Sequence, residues 1–169
     1  MDTRTAGEPT PMKNRTTSER KSARELVVTR TINGPARIVF EAWTNAELFK
    51  QWWVPKSFGL TLLSCDLDVR PGGKYKLVFK HGDSEMAFYG RYTEVTPHSR
   101  LAWTNEEGGE DGPVTTVTLE EHGGTTLVVL TELYPSKEAL DAAIASGSSR
   151  TDAMNETFEQ LDALIVTLQ

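Results

Sequence analysis

Leu63-Ser64-Cys65-Asp66-Leu67-Asp68-Val69-Arg70-Pro71-Gly72-Gly73-Lys74-Tyr75-Lys76-Leu77-Val78-Phe79-Lys80 reads as strand, turn, strand. Leu63, Cys65, Leu67 and Val69 alternate with Ser64, Asp66, Asp68 and Arg70. Beyond Pro71-Gly72-Gly73, Tyr75, Leu77 and Phe79 alternate with Lys74, Lys76, Val78 and Lys80. A period of two with one wet face marks a sheet covered on one side. A turn this short joins antiparallel neighbours, because parallel ones need a crossover. His81-Gly82-Asp83 supplies the next hairpin turn, and further strands are expected at about 85–95, 100–104, 114–120 and 125–133, each separated by a turn cluster.

Upstream, Leu26-Val27-Val28-Thr29-Arg30-Thr31-Ile32 is a strand stopped by Asn33-Gly34-Pro35. Pro35 opens a helix in which Ile38, Val39, Ala42 and Trp43 recur at helical spacing. Asn45 can cap a second short helix over 46–53, and Pro55 limits it by pushing the preceding residue out of the helical region. Three of the four tryptophans, Trp43, Trp52 and Trp53, fall in this stretch. Such a cluster packs a core or walls a pocket, since indole combines a large apolar area with an N–H that seeks a partner. Downstream, Pro135-Ser136 introduces a helix over 137–145, and Gly147-Ser148-Ser149 separates it from a longer one. In that last helix Met154, Phe158, Leu161, Ile165 and Leu168 form a continuous apolar face. A bent sheet with one apolar face must be covered, and this helix is the only element large enough to do it.

Residues 1–24 are rich in Thr, Ser, Pro, Arg and Lys and lack apolar periodicity, so they read as a flexible arm whose later part could pair at a sheet edge. Residues 25–169 then form a single domain, since a chain of 169 residues can bury one sizeable core. The arm holds six Lys/Arg against three Asp/Glu, leaving 12 basic against 21 acidic residues and a net charge of −9 in the remainder. An acidic body, with no aromatics interleaved in the basic arm, argues against nucleic-acid binding. No window approaches a membrane span and no secretory leader is evident, so the expected location is the cytoplasm. The single cysteine, Cys65, excludes an internal disulfide.

The order of these elements, together with three motifs, resembles the SRPBCC superfamily of START domains, birch pollen allergen relatives and polyketide cyclases. Within it the chain is similar to the AHSA-like branch, related to the C-terminal domain of an activator of the ninety-kilodalton heat-shock-protein ATPase. The motifs are Val39-Phe40-Glu41-Ala42-Trp43-Thr44-Asn45 leading to Trp52-Trp53-Val54-Pro55, then Asp68-Val69-Arg70-Pro71-Gly72-Gly73-Lys74-Tyr75, and Gly90-Arg91-Tyr92-Thr93-Glu94-Val95-Thr96-Pro97-His98-Ser99-Arg100-Leu101-Ala102-Trp103. The resemblance spans about 25–169. It implies an α+β helix-grip fold, in which a curved antiparallel sheet of six to seven strands wraps around a long C-terminal helix, with two short helices after the first strand. It also implies a hydrophobic cavity between the sheet and that helix. Many relatives carry Gly-Trp near the start of the last helix, where this chain has Asp152-Ala153-Met154-Asn155, so their ligand preference does not transfer. Gly90 is expected to let an indole or helix approach a curved strand.

Motifs for catalysis are sparse. His81, His98 and His122 fall at turns and read as solvated bystanders, and no metal-binding spacing is present, so neither a metal nor a cofactor is expected. No nucleophile elbow occurs, Cys65 reads as a small core residue, and Pro71-Gly72-Gly73 precedes a strand, unlike a phosphate loop. An acid in a greasy cavity could serve cyclisation or hydration. Of Asp66, Glu85, Glu94 and Glu132, alternation turns Asp66 and Glu132 away from the apolar face. Glu94 shares its face with Phe88, Gly90 and Tyr92, although a surface salt bridge is the stronger reading for it.

Alternation assigns Tyr75, Leu77, Phe79, Phe88, Tyr92, Leu101, Trp103, Val117, Leu119, Leu127, Val129 and Thr131 to the concave face, opposite Met154, Phe158, Leu161 and Ile165 of the helix. Trp52, Trp53 and Phe58 border the mouth, and Trp43 belongs to the core with Phe49 and Leu48 beneath it. The acidic stretch Glu106-Glu107-Gly108-Gly109-Glu110-Asp111-Gly112 reads as a solvated hairpin connection. The expected function is binding of a small apolar or aromatic molecule, because a few polar tips in an apolar chamber are how such sites orient a guest. Two other classes stand beside it: a cyclase or hydrolase using a cavity carboxylate or tyrosine, and a co-chaperone-like domain that docks a chaperone on its exterior. A homodimer through an exposed strand edge is a further possibility.

Overall fold

The computed structural model of the chain describes residues 15–107, 109, 112–146 and 151–169, side chains at 151–153 excepted. Thr17–Arg20 (β1) and Glu25–Ile32 (β2) lead into helices Ala36–Thr44 (α1) and Ala46–Phe49 (α2) and a 3₁₀ turn at Lys56–Phe58. Strands Thr61–Leu67 (β3), Lys74–His81 (β4), Ser84–Thr96 (β5), Arg100–Thr104 (β6), Val114–His122 (β7) and Thr125–Leu133 (β8) follow, then helices Lys137–Ser146 (α3) and Thr151–Thr167 (α4). The strands form one antiparallel sheet of eight in the order β1-β2-β8-β7-β6-β5-β4-β3, in a helix-grip arrangement with α4. No helix among the described residues is long and apolar enough to cross a membrane.

The sheet has one strand more than the six to seven expected. The extra strand is β1, whose residues Thr17 to Arg20 pair with Thr29 to Leu26, so the edge pairing that composition left open is formed. All four of its residues are exposed, and Arg20 holds Asp141 of α3 at 2.7 Å. Residues 1–14 of the expected arm lie outside the described residues, as does the Gly147-Ser148-Ser149 break between α3 and α4. Helix α2 is shorter than the expected 46–53. Asn45 does cap it, accepting from the Glu47 and Leu48 amides, but Gln51 and Trp52 donate back only three residues as the chain tightens toward Pro55.

Register puts one set of side chains on the inner face of every strand. Val28, Leu130, Val117 and Leu101 form one row across β2, β8, β7 and β6, and Leu26, Glu132, Thr115, Trp103 and Tyr92 form the next, reaching β5. Two irregularities break the alternation read from sequence. One between Leu62 and Ser64 turns Leu63 outward, 48% exposed, and packs Leu62 inward instead. Another between Tyr92 and Glu94 turns Glu94 out and Val95 in. A bulge adds one unpaired residue and so reverses the facing of everything after it.

Gly90 serves a close approach, though not of an indole or helix. A Cβ there would collide with the backbone carbonyl of Thr104, the same oxygen that accepts the Tyr75 hydroxyl at 2.8 Å. The glycine thus lets β5 and β6 close around an inward tyrosine.

Helix α4 buries Met154, Phe158, Leu161 and Ile165 as its periodicity requires, and also Asp162. Asp162 Oδ2 accepts from Arg30 Nη2 at 3.1 Å, its Oδ1 accepts from the Asn33 amide at 3.2 Å, and both side chains of the ion pair are nearly inaccessible. This pair fixes the helix against β2. Asp162→Ala would strand a buried guanidinium, and the expected loss of unfolding free energy is about 3–5 kcal/mol, most of it recovered when Arg30→Met and Asp162→Leu are combined. Urea denaturation of the two variants checks this, and a single-variant loss under about 1 kcal/mol contradicts the anchoring role.

Candidate functional site

The layers approach closest where α4 meets β2, where α1 meets β7 and β8, and where α2 meets β3. Between these contacts, over the inner strands, lies a cavity of about 420 Å³. Leu67, Tyr75, Leu77 and Phe88 line it from β3 to β5; Tyr92, Leu101, Trp103 and Leu130 come from β5, β6 and β8. Trp43, Phe49, Trp53 and Met154 close it from the helical side. Asn105, Glu107, Pro113, Thr115, Glu132 and Tyr134 complete the lining at one end. Glu107 is exposed and Asn105, Pro113 and Glu132 are half-buried, so this end meets solvent.

The helical wall is an aromatic lattice. Trp43 crosses Trp52 with ring centres 4.6 Å apart, lies 5.5 Å from Trp53 and 5.7 Å from Trp103, and Phe49 stacks on Trp53 at 5.0 Å. Trp52 donates its indole N–H to the Ala42 carbonyl at 2.9 Å and is fully buried. The Trp43 N–H has no hydrogen-bond acceptor among the described residues. The chain beyond the indoles is tied to α4: Gln160 donates to the Trp52 and Val54 carbonyls and accepts from the Lys56 amide, while Glu156 accepts from the Ser57 amide and hydroxyl. The hydrogen bonds from Ser57 hold the half-buried Glu156 carboxyl below its usual range.

Among the residues assigned to a ligand site from sequence, Trp53, Tyr75, Leu77, Phe88, Tyr92, Trp103 and Met154 line the cavity. Phe79, Val117, Leu119, Phe158 and Leu161 are on the inner side but buried in the core away from it. Trp52 is core and Phe58 is 42% exposed, and neither is among the residues that line the cavity. Trp43 and Phe49, read as core alone, are both core and cavity wall.

Strand β8 needs the largest correction. Leu127, Val129 and Thr131 face outward, and Thr126, Val128, Leu130 and Glu132 face in. The run Leu127-Val128-Val129-Leu130 is apolar in both phases, so its own alternation cannot choose. The signal that could is the hairpin before it. Gly123 and Gly124 have φ of 60° and 85°, which suits a two-residue turn, and such a turn opposes Leu119 to Val128 and Thr115 to Glu132. Glu132 therefore lies on the concave face and Glu94 does not, being paired with Arg100 at 2.8 Å on the outside. Asp66 and Glu85 are exposed.

At the cavity's polar end, the Tyr75 hydroxyl donates to the Thr104 carbonyl, with Asn105 Oδ1 also within reach at 3.3 Å. Asn105 Nδ2 donates to the Pro113 carbonyl and to Thr115 Oγ1, both at 2.9 Å. The Tyr134 hydroxyl donates to Glu132 Oε1 at 3.4 Å, and the Tyr89 amide donates to Glu107 Oε1 at 3.2 Å. Burial holds the Tyr75, Tyr92 and Tyr134 phenols well above their ordinary range. The charge of Glu107 reinforces this for Tyr75, and the charge of Glu132 for Tyr134. Glu106, the first residue of the acidic connection, accepts from Thr104 and Arg91 on the outside and is held below its ordinary range by those bonds; Gly108, Glu110 and Asp111 lie outside the described residues.

Burial raises the Cys65 thiol to about 11, and Asp66 adds to the shift, so the cysteine is no activated nucleophile. His81 and His122 are exposed, and His98 sits at a turn with its ring against Phe40. Among the described residues no group of three or more His, Cys, Asp or Glu is placed to hold a metal ion.

Solved structures share this architecture. A protein of Rhodobacter sphaeroides superimposes with a TM-score of 0.80 at 21% identity, over 91% of this chain and 99% of that one. A protein of Staphylococcus epidermidis gives 0.73 at 26% identity, over 90% and 95%. An AHSA1-like protein from Aeromonas hydrophila gives 0.62 at 18% identity, over 82% and 94%. No curated protein matches the sequence. The family described as Activator of Hsp90 ATPase homolog 1-like protein matches residues 33–165, a span that contains every residue lining the cavity, and the chain belongs to that family.

Proposed function

We propose that the chain binds a small, largely apolar or aromatic molecule in the chamber between the sheet and α4. The observation that supports this most directly is the chamber itself: its volume of about 420 Å³ lies in the range of small-molecule sites, and its walls are mostly aromatic and aliphatic with polar groups gathered at one end. A core that served stability alone would close to interior density, because each unfilled volume forfeits packing energy.

A catalytic reading gains one specific observation. Glu132, next to Tyr134, replaces Glu94 as the carboxylate of the cavity, and a carboxylate beside a protonated phenol is a pair that acid–base chemistry on a bound guest could use. The family's description suggests a chaperone partner, which would dock on the exterior. Exposed large apolar side chains such as Leu63, Tyr89, Ile144 and Val166 come from separate elements.

The neutral fluorophore N-phenylnaphthylamine tests the binding reading. It is expected to brighten on titration and saturate at one equivalent, with quenching of the wall tryptophans. Leu130→Trp fills the chamber from β8 and is expected to weaken that binding at least about tenfold, or 1.4 kcal/mol, while circular dichroism stays unchanged. Equal binding by a folded Leu130→Trp would place the probe elsewhere and overturn the reading.

A further inference from the structure

We propose that the chamber's guest carries a neutral hydrogen-bond acceptor of carbonyl type on its apolar or aromatic body, and that Trp103 and Tyr92 donate to it. This rests on the reading of the chamber as a binding site and names the chemistry of its ligand.

Trp103 on β6 and Tyr92 on β5 stand opposite each other in register, and both line the chamber. They are only 8% and 5% exposed. Neither the Trp103 indole N–H nor the Tyr92 hydroxyl has a hydrogen-bond partner among the described residues. Of the buried side-chain polar atoms of those residues, Trp43 Nε1 alone is both unpartnered and sealed from any space that water could enter. The Trp103 nitrogen and the Tyr92 oxygen are therefore unpartnered but open, and in side chains buried this deeply the space they open to is the chamber.

The phenol of Tyr75, by contrast, donates to the Thr104 carbonyl, and the Asn105 amide donates to Pro113 and Thr115. The Trp53 N–H lacks a partner among the described residues too, but its half-buried ring leaves solvent as an alternative acceptor.

An indole N–H can only donate. A phenol can do both, but burial, with Cys65 and Asp68 adding to it, keeps the Tyr92 proton in place, so this hydroxyl also has a proton to give. The Asp68 charge that helps to hold that proton opposes a carboxylate on the guest. A carbonyl oxygen suits both donors, since it has two lone pairs, no proton and no net charge. Water can accept from the two groups while the chamber is open to it. A guest that expels that water has to bring an acceptor of its own or leave two buried donors unpaired, which is the costlier outcome.

Two ligands of one shape test this: acetylnaphthalene, and isopropenylnaphthalene, in which a methylene group replaces the carbonyl oxygen. Their affinities are measured on the unmodified protein near neutral pH by displacement of N-phenylnaphthylamine, with naphthoate as the anionic comparison. The ketone is expected to bind at least about fivefold tighter than the more apolar alkene, and naphthoate weaker than the ketone. Tyr92→Phe and Trp103→Phe, each checked for fold by circular dichroism, are each expected to lower the ratio of ketone to alkene affinity at least about threefold. In infrared spectra the carbonyl stretch of the bound ketone is expected at lower wavenumber than in hexane, with the shift smaller in Tyr92→Phe. An alkene that binds as tightly as the ketone would overturn the proposal, and so would naphthoate binding best. A ketone preference and a carbonyl stretch unchanged in the folded variants would overturn the roles of Trp103 and Tyr92; should Trp103→Phe fail to fold, Tyr92→Phe and the infrared shift decide. If none of the three ligands displaces a bound N-phenylnaphthylamine, the carbonyl proposal falls alone; if that probe does not bind either, the binding reading falls with it.

Discussion

The last helix is held at two places, and neither lies over the middle of the sheet. On one flank, the buried pair of Arg30 and Asp162 fixes α4 to β2, with the Asn33 amide completing the carboxylate's bonds. On the other, Gln160 and Glu156 tie the helix to the backbone of 52–57, which carries the indole wall. A helix pinned at its flanks cannot settle onto β4 to β6. The inner face there pairs Tyr75 with Tyr92 and Phe79 with Phe88 and sets Trp103 against the indoles of the helical wall, while Tyr75, Phe88, Tyr92 and Trp103 also border the hollow. The buried ion pair is costly to form and more costly to break halfway, so it specifies where the helix sits more than it adds to stability.

Much of this was legible in the sequence, and the failures have identifiable causes. The hairpin around Pro71-Gly72-Gly73, the cap at Asn45, and the stripe of Met154, Phe158, Leu161 and Ile165 each follow from local rules, and those elements formed as read. Inward facing failed wherever one residue changed the count. The bulges after Leu62 and Tyr92 left no mark in composition, and they reversed Leu63 and Glu94. On β8 the information was present in the turn at Gly123-Gly124, but the four apolar residues that follow hide the phase when they are read alone. Arg30 was legible too, since it falls between Val28 and Ile32 on an inward face and must then find a buried partner.

Those reversals alter the chemistry of the site. With Glu94 outside and Glu132 inside, the carboxylate of the chamber sits beside Tyr134 at the solvent end. Connections that contribute little to the core, above all the one between β6 and β7, supply Asn105, Glu107 and Pro113 to that end. Sequence periodicity has no purchase on such segments, because loops carry function through placement and not through a repeating pattern. The family assignment constrains the scaffold; the polar end is where this chain's own residues define what the scaffold holds.

The central claim is that space remains between the gripping helix and the inner strands. A crystal of the protein pressurised with xenon measures that space directly, because xenon enters dry apolar cavities and scatters strongly. Xenon density bounded by Trp43, Leu77, Trp103 and Leu130 is the expected result. Rings from the helical wall packed against those strands, with no xenon between them, would contradict the account.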